Sequence, residues 1–161
     1  MANVHVPVTG GCLCGAVRYE SATPPSEGFY CHCRTCQKFF GGLSGTFVRI
    51  AHASFVVIKG SLTFYRSSEV ARRGFCAACG SPMVFVFDQT DADYWVGIGS
   101  LDHPEDWPLT RSATWGPVVH GHVDRKIAWQ QIDDGLPQWT GEKAVYRQEA
   151  ETALAHKPRQ G

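Results

Sequence analysis

Cys31-His32-Cys33-Arg34-Thr35-Cys36 gathers three thiols in one short bend, and the other four cysteines form two pairs on either side of it, Cys12-Leu13-Cys14 and Cys76-Ala77-Ala78-Cys79. All 7 cysteines of the chain fall in these groups. The outer pairs supply four ligands, a complete tetrahedral set, and the central stretch supplies three. This division predicts a fold held by one closed zinc site and a second zinc site that is open on one side.

In Gly11-Cys12-Leu13-Cys14-Gly15 the thiols stand at i and i+2, and extended backbone at that spacing aims both sulfurs to one face. Cys76 and Cys79, followed by Gly80, have the C-x-x-C-G form of a zinc knuckle, whose glycine lets the chain turn sharply. Four thiolates from two separated pairs close a tetrahedron with Zn–S bonds of about 2.3 Å.

Within the central stretch Cys31 and Cys33 share the i, i+2 relation and Cys33 and Cys36 the i, i+3 relation. A chain that passes from extended to turned at Cys33 brings the three sulfurs to one point. His32 then faces away as an ordinary hydrogen-bonded histidine. Three protein ligands leave a place for water or substrate, which marks a catalytic zinc, and thiolate surroundings favour a soft partner. A substrate thiol suits that place, with a carbonyl carbon such as that of formaldehyde as its electrophile. Two alternatives stand beside this one: His120 or His122 closes the site as a Cys₃His structural set, or the three thiols work without metal as a redox site.

Composition agrees with a reduced, metal-binding protein. The 161 residues are read as one domain, 1–161, long enough to bury a core. Lys plus Arg equals Asp plus Glu at 15 each, so no basic footprint points to nucleic acid or an anionic membrane. The start, Met1 to Pro7, has neither a basic n-region nor an apolar run, and no stretch approaches membrane-spanning length. A soluble cytoplasmic protein is expected, in which clustered cysteines serve as metal ligands and not as disulfides.

Outward from the cysteines the chain reads as mainly β. Val4 to Val8 alternates weakly and leads into a turn at Gly10-Gly11, followed by a strand at 16–20 and a loop from Ser21 to Gly28. Runs rich in β-branched and aromatic residues at 45–50, 54–59, 62–66, 71–75, 83–87 and 94–98, with a weaker one at 127–132, predict antiparallel strands. The stretch from Gly99 to His122 is loop-like, and Tyr146, Ala150, Ala153 and Leu154 recur at helical spacing, which predicts a helix over 143–156 ahead of a frayed tail ending at Gly161.

Three motifs, G-G-C-L-C-G-A-V-R-Y-E (10–20), C-H-C-R-T-C-Q-K (31–38) and G-F-C-A-A-C-G-S-P-M (74–83), resemble the glutathione-dependent formaldehyde-activating enzyme family, which also includes centromere protein V. G-S-L-D (99–102) and H-G-H-V-D-R-K-I-A-W-Q-Q-I-D-D-G-L-P (120–137) are similar to it as well, so the resemblance covers about residues 10–137. It implies an Mss4-like β-tent, with Cys12, Cys14, Cys76 and Cys79 on a structural zinc and Cys31, Cys33 and Cys36 on a catalytic one. The activity it implies is a carbon–sulfur lyase reaction, formation of S-hydroxymethylglutathione from glutathione, or a related small thiol, and formaldehyde or another aldehyde. The same scaffold also admits a non-enzymatic zinc module for binding a partner.

His120 departs from the family's form, being followed by Gly121-His122, and so does the segment 112–117 before it. His120 and Arg34 are the substrate candidates, with Lys38, Arg72 and Arg73 as further cations able to attract the carboxylates of a thiol substrate. Trp107, Trp115 and Trp129 are read as core or lid aromatics.

Overall fold

The β-branched and aromatic runs fold into strands that a computed structural model arranges in two sheets. It describes residues 7–88, 93–110, 113 and 115–141. Among these residues the order is β1 (Val8–Gly11), β2 (Arg18–Ser21), β3 (Gly28–Cys31), α1 (Arg34–Phe40), β4 (Gly45–Ala51), β5 (Phe55–Lys59), β6 (Thr63–Arg66), β7 (Ala71–Phe75), β8 (Pro82–Phe87), β9 (Asp93–Gly97), β10 (Val118–Gly121) and β11 (Gln138–Trp139). A three-stranded sheet runs β1-β2-β5, and an eight-stranded sheet runs β11-β10-β3-β4-β9-β8-β7-β6. No helix among the described residues is long and apolar enough to cross a membrane.

The large sheet is buried on both faces, which is why its central strands read as nearly continuous apolar runs. In β4, Val48 and Ile50 join one core with Tyr19 of β2, Phe55 of β5 and Val84 of β8, so this face packs against the small sheet. Phe47, on the opposite side of β4, joins a second core with Phe29, Phe85, Trp95 and Val119. Helix α1 covers that second face, with Phe40 edge-on to Phe47 at 5.1 Å and Phe47 edge-on to Phe85 at 4.9 Å.

Several expectations are corrected. Gly10-Gly11 is not a turn but part of β1. A Cβ on Gly10 would lie 2.3 Å from the Tyr19 hydroxyl and 2.4 Å from the Ser100 carbonyl, so glycine is required there by close approach. The loop expected from Ser21 to Gly28 lies between β2 and β3, and β3, which the strand-rich runs do not mark, then carries the chain into the central cysteines. The strand expected at 127–132 is absent. The stretch from Gly99 to His122 contains β10, which pairs in parallel with both β3 and β11, against the expectation of antiparallel pairing alone. The helix expected over 143–156 lies outside the described residues.

The G-S-L-D stretch has a structural use. Asp102 accepts from Thr9 Oγ1 at 2.6 Å and from Arg18 Nη1 at 2.8 Å, and its backbone N–H donates to Thr9 O at 2.9 Å, tying the end of the β9 segment to the β1–β2 hairpin. Arg18 holds the Asp102 carboxyl down at about 2. A carboxyl depressed on folding stabilises the fold above its unfolded value near 3.9, and that contribution is lost as pH falls towards 2. Asp102→Asn is therefore expected to cost about 1–2 kcal/mol at pH 7 and to flatten the acid limb of stability between pH 4 and 2. Urea titrations across that range check it, and an unchanged acid limb would remove the role given to Asp102.

Candidate metal centres and the cavity at Cys31–Cys36

The two outer cysteine pairs lie at the tips of two hairpins in different sheets. Cys12 and Cys14 occupy the β1–β2 connection, and Cys76 and Cys79 the β7–β8 connection. Each connection turns back at a left-handed glycine that closes on the first cysteine's carbonyl, over different spans: Gly15 N–H donates to Cys12 O at 3.1 Å with Gly15 at φ +72, an i, i+3 turn, and Gly80 N–H donates to Cys76 O at 2.8 Å with Gly80 at φ +74, an i, i+4 turn. The left-handed glycines aim the sulfurs inward. All four sulfurs lie within 4.8 Å of one another. Cys12 and Cys14 sulfurs are 3.6 Å apart, and Cys14 and Cys76 sulfurs, which span the two sheets, 3.9 Å. A ZnS₄ tetrahedron with bonds of about 2.3 Å has edges near about 3.8 Å, so the donor set fits zinc.

Surrounding donors favour the thiolate at Cys12 and Cys79, whereas at Cys14 the Ala16 backbone draws the thiol down but Cys12 and Cys79 outweigh it and leave it at about 11. Val17 N–H donates to Cys12 Sγ at 3.2 Å. Ser81 Oγ lies 3.1 Å from Cys79 Sγ and accepts from Leu13 N–H at 3.0 Å, so one hydroxyl touches both hairpin tips. Ser81 draws the Cys79 thiol down to about 6.

The central three cysteines meet where β3 gives way to α1. Cys31 ends β3, Cys33 is the extended N-cap of α1 at φ −65 and ψ 149, and Cys36 lies in the helix's first turn, its N–H donating to Cys33 Sγ at 3.3 Å. The passage from extended to turned backbone at Cys33 is the one the spacing called for, and the three sulfurs lie within 4.8 Å of one another. Cys31 and Cys36 are buried. Hydrogen bonds from Cys31 and Cys36 hold the Cys33 thiol far below its usual value. Cys33 in turn pushes Cys31 well above it. Cys31 draws Cys36 down, but Cys33 and burial outweigh it and leave Cys36 at about 11. Three sulfurs within 4.8 Å of one another, two of them buried, form a donor set that would bind a dication as thiolates, so this set also fits zinc.

Behind the cysteines runs a polar chain, buried at its two histidines and exposed at Asp134. Asp134 Oδ2 accepts from His120 Nε2–H at 2.8 Å, which leaves His120 Nδ1 to accept from His32 Nε2–H, also at 2.8 Å. Burial and the facing His120 hold His32 neutral, down to about 4. His120 also stacks on Tyr30 at 4.5 Å, and Gln37 Nε2 donates to the His32 carbonyl at 2.8 Å. His32 therefore faces away from the sulfurs, as expected. Both His120 nitrogens are engaged, so the structure does not bring His120 to the three thiols as a closing ligand. His122 likewise stands outside the group of three.

A cavity of about 210 Å³ opens on the cysteines, walled by Val70, Phe85 and Phe87, with the hydroxyls of Thr35, Ser67 and Ser68 and the side chain of Arg73. Its far wall is the β6–β7 connection, which carries no cysteine and no motif that singles it out in the sequence. The 103–122 segment does not contribute to it among the described residues. Trp115 packs instead over Gly28, edge-on to Trp107 at 5.8 Å, while Trp129 is exposed. Of the candidate cations, Arg34 is exposed and bonds Gln37 Oε1, and Arg72 pairs with Asp88 on the surface, so only Arg73 reaches the cavity.

The family model described as glutathione-dependent formaldehyde-activating enzyme matches residues 7–118, a span that holds all seven cysteines and the cavity residues. The chain belongs to this family. No curated protein matches this family member. Among solved structures, the crystal structure of a Rhodobacter sphaeroides protein is similar in fold, with a TM-score of 0.51 at 20% identity, over 82% of this chain and 99% of that one. The glutathione-dependent formaldehyde-activating enzyme family thus accounts for the cysteine pattern, and the likeness to the solved structure supports the β-rich fold.

Proposed function

We propose that the protein joins a small thiol, glutathione or a relative, to formaldehyde or a related aldehyde, and catalyses the reverse cleavage, a carbon–sulfur lyase reaction. The observation that carries this reading is the three-thiol cluster on the floor of a small, partly apolar cavity, in a chain of this family. Cys31, Cys33 and Cys36 would hold one zinc, and Cys12, Cys14, Cys76 and Cys79 the other. Bound at the three-cysteine site, zinc would supply a Lewis acid beside which a thiol persists as thiolate near neutral pH.

The chain's own residues do the rest. Val70, Phe85 and Phe87 limit water around the reacting sulfur, and the cavity has room for the thiol end of glutathione beside a one-carbon aldehyde. In the forward direction a C–S bond forms as the carbonyl π bond breaks, and the thiol proton ends on the former carbonyl oxygen, giving a hydroxymethyl thioether. Thr35, Ser67 and Ser68 are the hydroxyls at hand to hydrogen-bond that oxygen. His120 takes no part, being committed to His32 and Asp134.

Adduct formation tests the reading. With glutathione and ¹³C-formaldehyde, NMR exchange between free aldehyde and S-hydroxymethyl product is expected to be faster with the zinc-loaded protein than without it. Exchange at the uncatalysed rate, across a panel of small thiols, would leave the protein a binding module and sink the enzyme reading.

A further inference from the structure

Arg73 is the one buried cation at the cavity among the described residues, only 6% exposed, and it comes from β7, far along the sheet from the cysteine-bearing β3. Its Nη2 donates to Cys36 Sγ at 3.4 Å. Its guanidinium lies between two aromatic rings, 5.3 Å from the centroid of Phe39 and 5.3 Å from that of Phe85. Nε and Nη1 are buried and have no hydrogen-bond partner. No carboxylate among the described residues pairs with it. A guanidinium taken out of water without an anion is strongly disfavoured, and two ring faces offset only part of that cost. The compensating charge must therefore sit at the cysteine cluster.

Counting charge gives the consequence. Three thiolates around a dication carry one net negative charge, which Arg73 cancels. A substrate thiolate arriving beside them restores one negative charge; without Arg73 it would bring two into a buried site. We propose that Arg73 is a positioning residue that makes this cluster accept a thiolate, acting through Cys36 as the counter-charge for the fourth sulfur. The inference rests on the proposed thiol chemistry and adds the group that selects the anionic ligand over a neutral one. At an effective dielectric of about 20, a pair of unit charges about 6 Å apart corresponds to about a hundredfold in affinity.

The test uses the full chain loaded with Co²⁺, whose sulfur-to-cobalt absorption counts thiolates, titrated with 2-mercaptoethanol and, separately, with imidazole as a neutral ligand. Arg73→Met is expected to weaken thiol binding about a hundredfold while imidazole binding stays as in wild type. Arg73→Lys, which keeps the charge, is expected to hold thiol affinity within about tenfold. A merely structural arginine would not separate the two ligands, so equal losses for thiol and imidazole overturn the inference, as does a Met variant that binds thiol normally. A wild-type spectrum that ignores the thiol overturns the proposed function and this inference together, whereas the variant outcomes bear on Arg73 alone. Should the Met variant fail to fold, the Lys variant decides: retained thiol affinity supports the role, and a hundredfold fall removes it.

Discussion

Cys79→Ala is expected to abolish cooperative folding. The four outer cysteines join two hairpin tips that belong to different sheets, and one cross-sheet sulfur pair, Cys14 and Cys76, is 3.9 Å apart. Near that point Ser81 Oγ is the cross-link, its one hydroxyl touching Leu13 and Cys79. Structural zinc contributes about 10–16 kcal/mol in small model systems, against a total stability of about 5–15 kcal/mol for a domain. Removing one ligand takes away more than the margin, and it leaves three sulfurs crowded together with nothing to neutralise them. Thermal and urea melts of the variant, expressed with zinc, are expected to be non-cooperative or to fail for lack of soluble protein. A soluble Cys79→Ala protein with a sharp melt would show that the two sheets hold together through the Tyr19, Val48 and Phe55 core alone.

The cysteine geometry was legible in the sequence because it is local. The spacings i, i+2 and i, i+3 with adjacent glycines fix turns within a few residues, and the folded chain repeats them at Gly15, Cys33 and Gly80. Most strands of the large sheet were legible too, since two buried faces leave a plain apolar run. What failed depends on partners distant in the chain. β10 is buried along its whole length and inserts between β3 and β11, so it shows no alternation, and its glycine and histidine look like loop. β3 begins at Gly28, where Leu109 and Trp115 fill the space a side chain would take. His120 was read as a ligand or substrate residue because its partners are unmarked in the sequence: Asp134 is 14 residues away, and His32 meets it only through the parallel pairing of β10 with β3. Arg73 stood behind Arg34 among four candidate cations, and of the four the fold brings it alone to the cavity.

The double substitution Cys31→Ser, Cys33→Ser is expected to leave the fold standing while removing one of two bound zinc ions and all catalysis. The contrast with Cys79 follows from where the two clusters sit. Cys31, Cys33 and Cys36 lie within one segment, β3 into α1, and the tie from that segment to β7, Arg73 to Cys36 Sγ at 3.4 Å, keeps its sulfur in the double variant. The segment has its own supports: Gly121 O accepts from His32 N–H at 3.0 Å, Gln37 bridges the His32 and Arg125 carbonyls at 2.8 and 3.2 Å, and His120 holds His32 from behind. Serine at position 33 is a better helix N-cap than cysteine, so α1 keeps its start. Serine at position 31 places a hydroxyl in an apolar setting, at a cost of about 1–3 kcal/mol that leaves a cooperative melt. Catalysis fares differently, since a hydroxyl does not deprotonate as a thiol does and a soft metal site with one remaining sulfur binds too weakly to stay loaded. Metal analysis of the purified proteins is expected to fall from two zinc per chain to one, and glutathione–formaldehyde exchange to the uncatalysed rate. Two outcomes would break the argument: loss of folding would make this cluster a second structural site, and full exchange activity with one zinc would place the chemistry elsewhere in the molecule.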